Sequence, residues 1–280
     1  TVALDIGGWA WESAVGDAAG AVKHFRSSYS HFNSDSQVEL LARNGVQLMP
    51  LFNGSPSSGA ELANKVSSWF ARYGHGGTFW QGKPVDLGAT TAEIANEPGN
   101  PYFWGSGATT DQRAYAQTIE TVAAKVATLP HPPRLLVSFD GGYEGDQYGR
   151  ALIADDPHLL KLGLGWTVHP YGGHGLRSAL GNRPRVTEAY AATHQPVYVT
   201  EIGWPTDTSS SATGDSLQWT EAQQAANLTA FVTWARSLRY VANVTYFNYV
   251  DYGPNNWYGI ESQTGRHKLS YNVLRTLSAG

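Results

Sequence analysis

Short apolar runs alternate along the chain with longer stretches of helical periodicity. Eight apolar runs can be placed, at Val2–Gly8, Ala21–Ser27, Val46–Phe52, Thr90–Asn96, Arg134–Asp140, Gly163–His169, Pro196–Ile202 and Asn243–Tyr249. Helical patterns are clearest at Gln37–Asn44, Ala60–Tyr73, Asp111–Leu129, Arg185–His194 and Glu221–Leu238. These connections are too long for β-hairpins and suit crossovers between parallel strands.

Eight strand–helix repeats predict an α/β fold, namely a closed (β/α)8 TIM barrel that forms a single compact domain over residues 1–280. The competing architecture is an open doubly wound sheet. Its first strand would be followed by a glycine-rich phosphate loop, whereas Ile6-Gly7-Gly8-Trp9 is too aromatic for that task. In a barrel, the active site lies at the carboxyl ends of the strands.

Polar and aromatic residues follow these predicted strand ends. They are Trp9, Trp11 and Glu12; Arg26 and Tyr29; Asn53; Asn96 and Glu97; Asp140 and Tyr143; His169 and Tyr171; Glu201 and Trp204; and Asn248, Tyr249 and Asp251. The chain has 10 Trp and 15 Tyr, and aromatic faces stack on the apolar faces of sugar rings. Most tryptophans pack in cores, but placement at strand ends favours the cleft for Trp11, Trp104, Trp204 and Trp257.

Composition narrows the class of partner. With 19 basic and 23 acidic residues the formal charge is −4, and no cluster of Lys or Arg is available to bind phosphates. No apolar run approaches the ~18 residues of a membrane helix. Cysteine is absent, which excludes disulfides and thiolate chemistry. We therefore expect a neutral substrate, a monomer, and no nucleic-acid or membrane partner.

Two carboxylates stand directly after apolar runs, in Asn96-Glu97-Pro98 and in Glu201-Ile202-Gly203-Trp204-Pro205. Cleavage of a glycosidic bond needs two carboxyl groups in different environments, one holding a proton and one ionised. For this task we expect the pKa of Glu97 to be raised by an apolar setting and by nearby Glu201. Glu93 would point into the barrel as a buried structural carboxylate. Asp140 and Glu144, beside the fifth strand, would either bind substrate hydroxyls or be solvated.

These motifs resemble clan A of the glycoside hydrolases, retaining enzymes on a (β/α)8 barrel. Arg26 at the end of the second strand and His169-Pro170-Tyr171 at the end of the sixth also match. The resemblance implies that Glu97 is the general acid/base and Glu201 the nucleophile. It implies that Asn96 binds the sugar 2-hydroxyl and that Arg26 and Tyr171 orient Glu201, while His169 has a hydrogen-bonding role. Further substrate-binding positions are expected at Trp204, Trp11, Trp104, Tyr143, Tyr249 and Trp257. Neither a metal nor a cofactor is implied.

The eighth strand departs from this pattern. Where clan members often carry a tryptophan, the chain reads Tyr246-Phe247-Asn248-Tyr249, so Tyr249 or Trp257 would replace it. Glu201–Pro205 is similar to β-1,3-glucanases, whereas Asn96–Trp104 is similar to the xylosidase and exopolysaccharide-hydrolase branch.

The first expectation is an endo-β-1,3-glucanase, because few long loops are left to close one end of a groove. A polymeric substrate also favours a secreted protein. Three alternatives stay open. The first is an enzyme that acts from chain ends or on another β-glycan or exopolysaccharide. The second is a barrel that binds carbohydrate without catalysis. The third is an esterase whose nucleophile is Ser216, in Gly214-Asp215-Ser216-Leu217.

Overall fold

The computed structural model describes residues 2–7, 12–53, 59–100, 112–142, 146–172, 179–206, 219–252 and 256–280. Eight parallel strands form a closed barrel in sequence order, in which the first strand pairs with the last. The strands are β1 (Ala3–Gly7), β2 (His24–Ser28), β3 (Gln47–Phe52), β4 (Thr91–Ile94), β5 (Arg134–Ser138), β6 (Gly165–Val168), β7 (Val197–Ile202) and β8 (Val241–Phe247).

A helix follows each strand within the described ranges. The helices are α1 (Val15–Ala18), α2 (Asp35–Arg43), α3 (Gly59–Tyr73), α4 (Gln112–Val126), α5 (Asp146–Asp155), α6 (Arg183–Thr193), α7 (Glu221–Arg236) and α8 (Leu269–Ala279). The predicted (β/α)8 barrel is thereby confirmed. Among the described helices, none combines the length and apolarity that crossing a membrane requires.

The predicted and observed elements differ mainly at their ends. Strand β2 begins at His24 rather than at Ala21, because the backbone N–H groups of Ala21 and Val22 bond to the carbonyl of Ala18 and close α1. Helices α1, α5 and α8 were not among the clear helical patterns. In α5 the reason is local, since Gly149 lowers helix propensity. A Cβ at Gly149 would lie 2.3 Å from the Phe139 ring, so the helix needs this glycine to pack on β5.

The main apolar core lies between the barrel and its helices, and the barrel interior is largely polar. A separate small apolar cluster of Met49, Leu136 and Tyr198 packs inside the barrel. Buried charged groups accompany it, including Asp5, Arg26 and Glu93. Barrel interiors are usually filled by layers of branched apolar residues. The charged interior here leads towards the carboxyl ends of the strands, where the candidate site lies.

Candidate active site

Arg26 organises the site from within the barrel. Its side chain is only 4% exposed and forms a two-pronged ion pair with Glu93, with Nε donating to Oε2 at 2.6 Å and Nη2 to Oε1 at 2.9 Å. Nη1 donates to Glu201 Oε1 at 2.8 Å, and Nη2 also donates to Asn96 Oδ1 at 2.8 Å. Burial disfavours the charged guanidinium, but Glu93 and Glu201 raise the pKa of Arg26 overall. Arg26 therefore stays charged and fixes Glu201, while Glu93 has the predicted buried structural role.

Glu201 lies on β7 and faces the cleft with 12% of its side chain exposed. Its second oxygen, Oε2, accepts a hydrogen bond from the Tyr171 hydroxyl at 3.0 Å. Burial, followed by the charge of Glu201, raises the pKa of Tyr171 well above its ordinary value. The Tyr171 hydroxyl therefore stays protonated and donates a hydrogen bond to Glu201. The structure brings Arg26 and Tyr171 to the two oxygens of Glu201, as the resemblance implies.

Glu97 reaches the cleft through a sharp bend at the end of β4. Ala95 and Glu97 have positive φ angles of 62° and 45°, a region that residues other than glycine rarely occupy. The bend is held between these residues, where the backbone N–H of Asn96 donates to Asn53 Oδ1 at 2.7 Å. Two left-handed residues at a strand end turn the chain so that the side chain of Glu97 leaves the barrel wall.

The carboxylate of Glu97 is held by His169 and Asn100. Its Oε1 lies 2.7 Å from His169 Nδ1, and its Oε2 accepts from Asn100 Nδ2 at 2.9 Å. Gly142, with φ of 84°, packs directly against the Glu97 side chain, because a Cβ there would lie 2.2 Å from Glu97 Cγ. Glycine at position 142 therefore makes room for the carboxylate arm.

The electrostatics of Glu97 differ from the sequence-based expectation. Although burial raises the pKa of Glu97, the hydrogen bond and charge of His169 lower it overall. For His169, burial lowers the pKa, but Glu201 and Glu97 raise it to about 9. The expectation of a raised Glu97 pKa is wrong, because the buried imidazolium was not foreseen. In the free protein the proton resides on His169, whose Nδ1–H donates to Glu97 and whose Nε2–H donates to Thr200 Oγ1 at 3.0 Å.

Glu97 and Glu201 face each other across His169. One oxygen of each carboxylate and one ring nitrogen of His169 all lie within 4.8 Å of one another. His169 Nδ1 is 3.6 Å from Glu201 Oε2. This trio has the spacing of a three-ligand metal site, but its carboxylate oxygens already accept hydrogen bonds. Glu201 accepts from Arg26 and Tyr171, and Glu97 accepts from His169 and Asn100. The arrangement suits proton transfer and nucleophilic attack between two close carboxyl groups.

Asp140 holds the backbone of His169 in place through hydrogen bonds. Its Oδ2 accepts the backbone N–H of His169 at 2.7 Å, its Oδ1 accepts the backbone N–H of Gly142 at 2.9 Å, and Arg185 Nη1 lies 3.4 Å from Oδ2. Asp140 is buried, so both expectations for it are wrong, since it is neither solvated nor open to substrate hydroxyls. It instead links the β5 and β6 ends that carry Gly142 and His169.

Two predicted cleft aromatics lie elsewhere. Trp204 is 2% exposed and packs against Phe231 and Tyr246 in the main core, so its expected contact with substrate is wrong. The Tyr249 hydroxyl contacts Asp17 and Glu261, a surface cluster beside α1, rather than the two catalytic candidates. Trp257 is half-buried, and its role at the cleft stays a prediction. Trp11, Trp104 and Tyr143, with Glu144 and Ser216, fall outside the described residues.

Sequence reasoning missed an aromatic wall beside Tyr171. Tyr258 stands edge-on to Tyr171, with ring centroids 5.9 Å apart, and its ring also lies 6.0 Å from that of Phe247 at the end of β8. Gly203 leaves room for this wall, because a Cβ there would lie 3.0 Å from the Tyr258 ring. The signal in the sequence is that Tyr258 directly follows Trp257, which was itself predicted to lie at the cleft.

Comparison with known proteins gives matches at the level of structure. No protein-family model and no curated protein matches the sequence. The chain is similar to an endo-β-1,3-glucanase from Amycolatopsis mediterranei solved with laminaripentaose, with 16% identity and a TM-score of 0.66 over 99% of this chain and 100% of that one. Fungal β-1,4-galactanases match with 12% identity and a TM-score of 0.70 over 98% and 99% of the chains.

A β-glucuronidase from Faecalibacterium prausnitzii matches with 16% identity and a TM-score of 0.59 over 96% of this chain. The chain spans only 44% of that protein's length. At these identities the likeness establishes the fold. The resemblance to clan A glycoside hydrolases is confirmed at that level, and the chain is a (β/α)8 barrel of the kind these enzymes share.

Proposed function

We propose that this chain is a retaining β-glycoside hydrolase that cleaves a neutral β-linked polysaccharide internally, with β-1,3-glucan as its first substrate. The observation that carries the proposal is the closeness of the two carboxylates, since oxygens of Glu97 and Glu201 lie within 4.8 Å. Retaining enzymes hold these groups ~5–5.5 Å apart, whereas inverting enzymes separate them by ~6.5–9.5 Å to admit a water molecule. The spacing supports retention.

In the first step, a Glu201 oxygen attacks the anomeric carbon while Glu97 gives a proton to the departing glycosidic oxygen. The carbon–oxygen bond to the leaving sugar breaks, and an ester to Glu201 forms. In the second step, Glu97 takes a proton from water, whose oxygen attacks the same carbon and releases Glu201. Two displacements restore the original β configuration.

The proton for the first step is drawn from the Glu97–His169 pair. His169 holds it in the free protein, 2.7 Å from the carboxylate that must deliver it. Transfer along this hydrogen bond produces a neutral Glu97 and a neutral imidazole. As Glu201 becomes an ester it loses its negative charge, and that charge is one of the causes that raise the pKa of His169. Formation of the ester therefore helps His169 to release its proton.

Two observations support a neutral substrate and internal cleavage. The three nitrogens of Arg26 are engaged by Glu93, Glu201 and Asn96, so this cation is not available to a substrate carboxylate. The glucanase structure with laminaripentaose matches along its whole length, whereas the much longer glucuronidase matches along less than half. An endo-β-1,3-glucanase is thus the first activity to test.

The test is digestion of a panel of soluble β-glycans, with product lengths followed from the earliest times. Internal cleavage predicts a mixture of oligosaccharides from β-1,3-glucan. Release of monosaccharide alone from the start would support an exo-acting enzyme, and turnover of another β-glycan alone would reassign the substrate. Binding to glycans without turnover of any would favour a non-catalytic carbohydrate-binding barrel.

Variants link that activity to the site. Glu201→Gln and Glu97→Gln should each lower kcat/KM on polysaccharide by ~10³-fold or more. Glu120→Gln is the matched control, because Glu120 also contacts a histidine, with its Oε1 2.6 Å from His158 Nδ1, but does so on the surface. Full activity in Glu201→Gln would refute the assigned nucleophile.

A further inference from the structure

A polar recess opens at the end of the barrel opposite the candidate active site. It has a volume of about 180 Å³ and lies among the amino-terminal halves of the strands. Its polar lining comprises Asp5, His24, Gln47, Thr90, Thr91, Tyr198 and Asn243. His24 and Gln47 are half-buried at the rim, whereas Asp5 and Asn243 are only 4% and 3% exposed. A small solute can therefore enter from solvent and reach buried groups.

Two oxygens in this recess have no hydrogen-bond donor within the described part of the chain. They are Asp5 Oδ1 and Asn243 Oδ1. The other atoms of both side chains are engaged, since Asn243 Nδ2 donates to Asp5 Oδ2 at 2.8 Å and to Thr245 Oγ1 at 2.9 Å. Both amide hydrogens of Asn243 are used by these bonds. Leaving two buried acceptors unpaired costs free energy, so the recess favours a solute that interacts with oxygen lone pairs.

The charges around Asp5 leave its carboxylate without a free counter-ion. Besides Asp5, the titratable residues in the lining of the recess are His24 on β2 and Tyr198 on β7, and Arg26 follows His24 by two positions on β2. Burial lowers the pKa of His24, which keeps that ring neutral near pH ~7. Arg26 is already paired with Glu93 and Glu201. Arg134 lies at the exposed end of β5, where Nη1 contacts the Tyr198 hydroxyl at 3.4 Å.

We propose that this recess binds a monovalent alkali cation, Na⁺ or K⁺, through Asp5 Oδ1 and Asn243 Oδ1, with water completing the coordination. Hard cations prefer carboxylate and carbonyl oxygens, which are the two unpaired atoms present. One carboxylate balances one positive charge, and the sites of divalent hard cations typically combine several ligands with more negative charge.

Thermal unfolding of the full chain tests this directly. At about pH 8.5, about 0.1 M NaCl or KCl should raise Tm by several degrees relative to choline chloride at the same ionic strength. Asp5→Asn should abolish the ion-specific shift. Asp155→Asn, which removes an exposed carboxylate on α5, should retain it.

A direct readout accompanies the melting curves. Crystals soaked in Rb⁺ or Tl⁺ should show an anomalous peak within bonding distance of Asp5 Oδ1 and Asn243 Oδ1. Equal Tm values in choline and alkali chlorides would mean that water alone fills the recess and would overturn the proposal. Stabilisation by Ca²⁺ but not by Na⁺ or K⁺, or an ion effect that persists in Asp5→Asn, would overturn it as well.

Discussion

Glu97 and Glu201 have identical side chains that receive different hydrogen-bond partners. Glu201 accepts from Arg26 and Tyr171, neither of which gives up its proton near neutral pH. Glu97 accepts from His169, a group that titrates within reach of physiological pH. The difference assigns attack to one carboxylate and proton transfer to the other. This difference between the two carboxylates depends on the segment directly after β6, where His169 and Tyr171 stand two positions apart.

The proton shared by Glu97 and His169 sets the basic limb of the pH profile. The pKa of His169 is raised to about 9, so kcat/KM should fall as pH rises through that value. In His169→Gln the proton must reside on Glu97 alone, and the basic limb should move down by ~2 units or more. The control is His158→Gln at the surface Glu120–His158 pair. A basic limb that stays in place in His169→Gln would contradict the shared proton.

The trio of Glu97, His169 and Glu201 also has metal-ligand spacing, so metal removal is a necessary test. Because Arg26 and His169 already hydrogen-bond to Glu201 and Glu97, dialysis against EDTA should leave kcat/KM unchanged within error. Activity that is lost on dialysis and restored by Zn²⁺ or Mn²⁺ would replace the double-displacement account with metal-assisted hydrolysis.

At the residue scale, the sequence predicted which side chains meet but not all of their states. Strand-end position placed Arg26, Glu97 and Glu201 together, since the carboxyl ends of parallel strands converge. The lowered pKa of Glu97 could not be read from the chain, because it depends on a 2.7 Å contact with His169 across 72 positions. Trp204 was misplaced because a residue after a strand end can still turn back into the core.

The elements contribute the bends that bring these side chains into the cleft. After β4 the backbone passes through positive φ angles at Ala95 and Glu97. After β5 it passes through positive φ angles at Gly141 and Gly142. The two bends touch, since the N–H of Gly99 donates to the carbonyl of Gly141 at 3.0 Å. Contact between neighbouring turns fixes Glu97 more firmly than a single loop would.

Gly142→Ala tests whether this contact positions the acid/base. A Cβ at Gly142 would lie 2.2 Å from Glu97 Cγ, so Glu97 must move and kcat/KM should fall by ~10²-fold or more. Gly163→Ala is the matched control, because Gly163 has a positive φ of 65° and no atom within 4 Å of the added Cβ. Both variants should lose ~1 kcal/mol of stability through backbone strain. Equal activity in the two would show that Gly142 does not position Glu97.

Element types followed from periodicity, and element ends did not. The eight strands coincide with apolar runs because both faces of a parallel barrel are covered. The observed first residues of β2 and β8, His24 and Val241, differ from the predicted ones by three and two positions. Hydrogen bonds of the preceding turns decide where strand pairing begins. Helix α5 was missed because Gly149 lowers its helix propensity, and the need for that glycine comes from packing on Phe139, which the sequence does not show.

For the whole molecule, the polar barrel interior links the recess to the active site. Buried charged residues follow one another from Asp5 through Arg26 and Glu93 to Glu201. Such an interior is less stabilising than an apolar one, because buried charges repay their desolvation only when they are well paired. The apolar cluster of Met49, Leu136 and Tyr198 and the outer core supply the compensating burial. Of this charged column, the sequence predicted the inward carboxylate of Glu93 but not that of Asp5.

The raised pKa of Asp5 predicts how the stability of the folded chain varies with pH. Burial raises the pKa of Asp5 from 3.8 to about 7, so the folded state binds more protons than the unfolded state between these values. In choline chloride, stability should therefore decrease as pH rises through this window, by up to ~4 kcal/mol. Asp5→Asn should remove this decrease and be more stable than the parent above the window. Denaturant unfolding across the pH range measures it, and parallel curves for the two proteins would contradict the assignment.

Stereochemistry tests the central claim most directly, because only a double displacement returns the original configuration. A proton NMR time course on the β-glycan that the chain hydrolyses should show the β anomer of the new reducing end first, followed by slow mutarotation to the α anomer. That result would agree with attack by Glu201 and protonation by Glu97. First appearance of the α anomer would mean direct attack by water, and would contradict the roles assigned to both carboxylates.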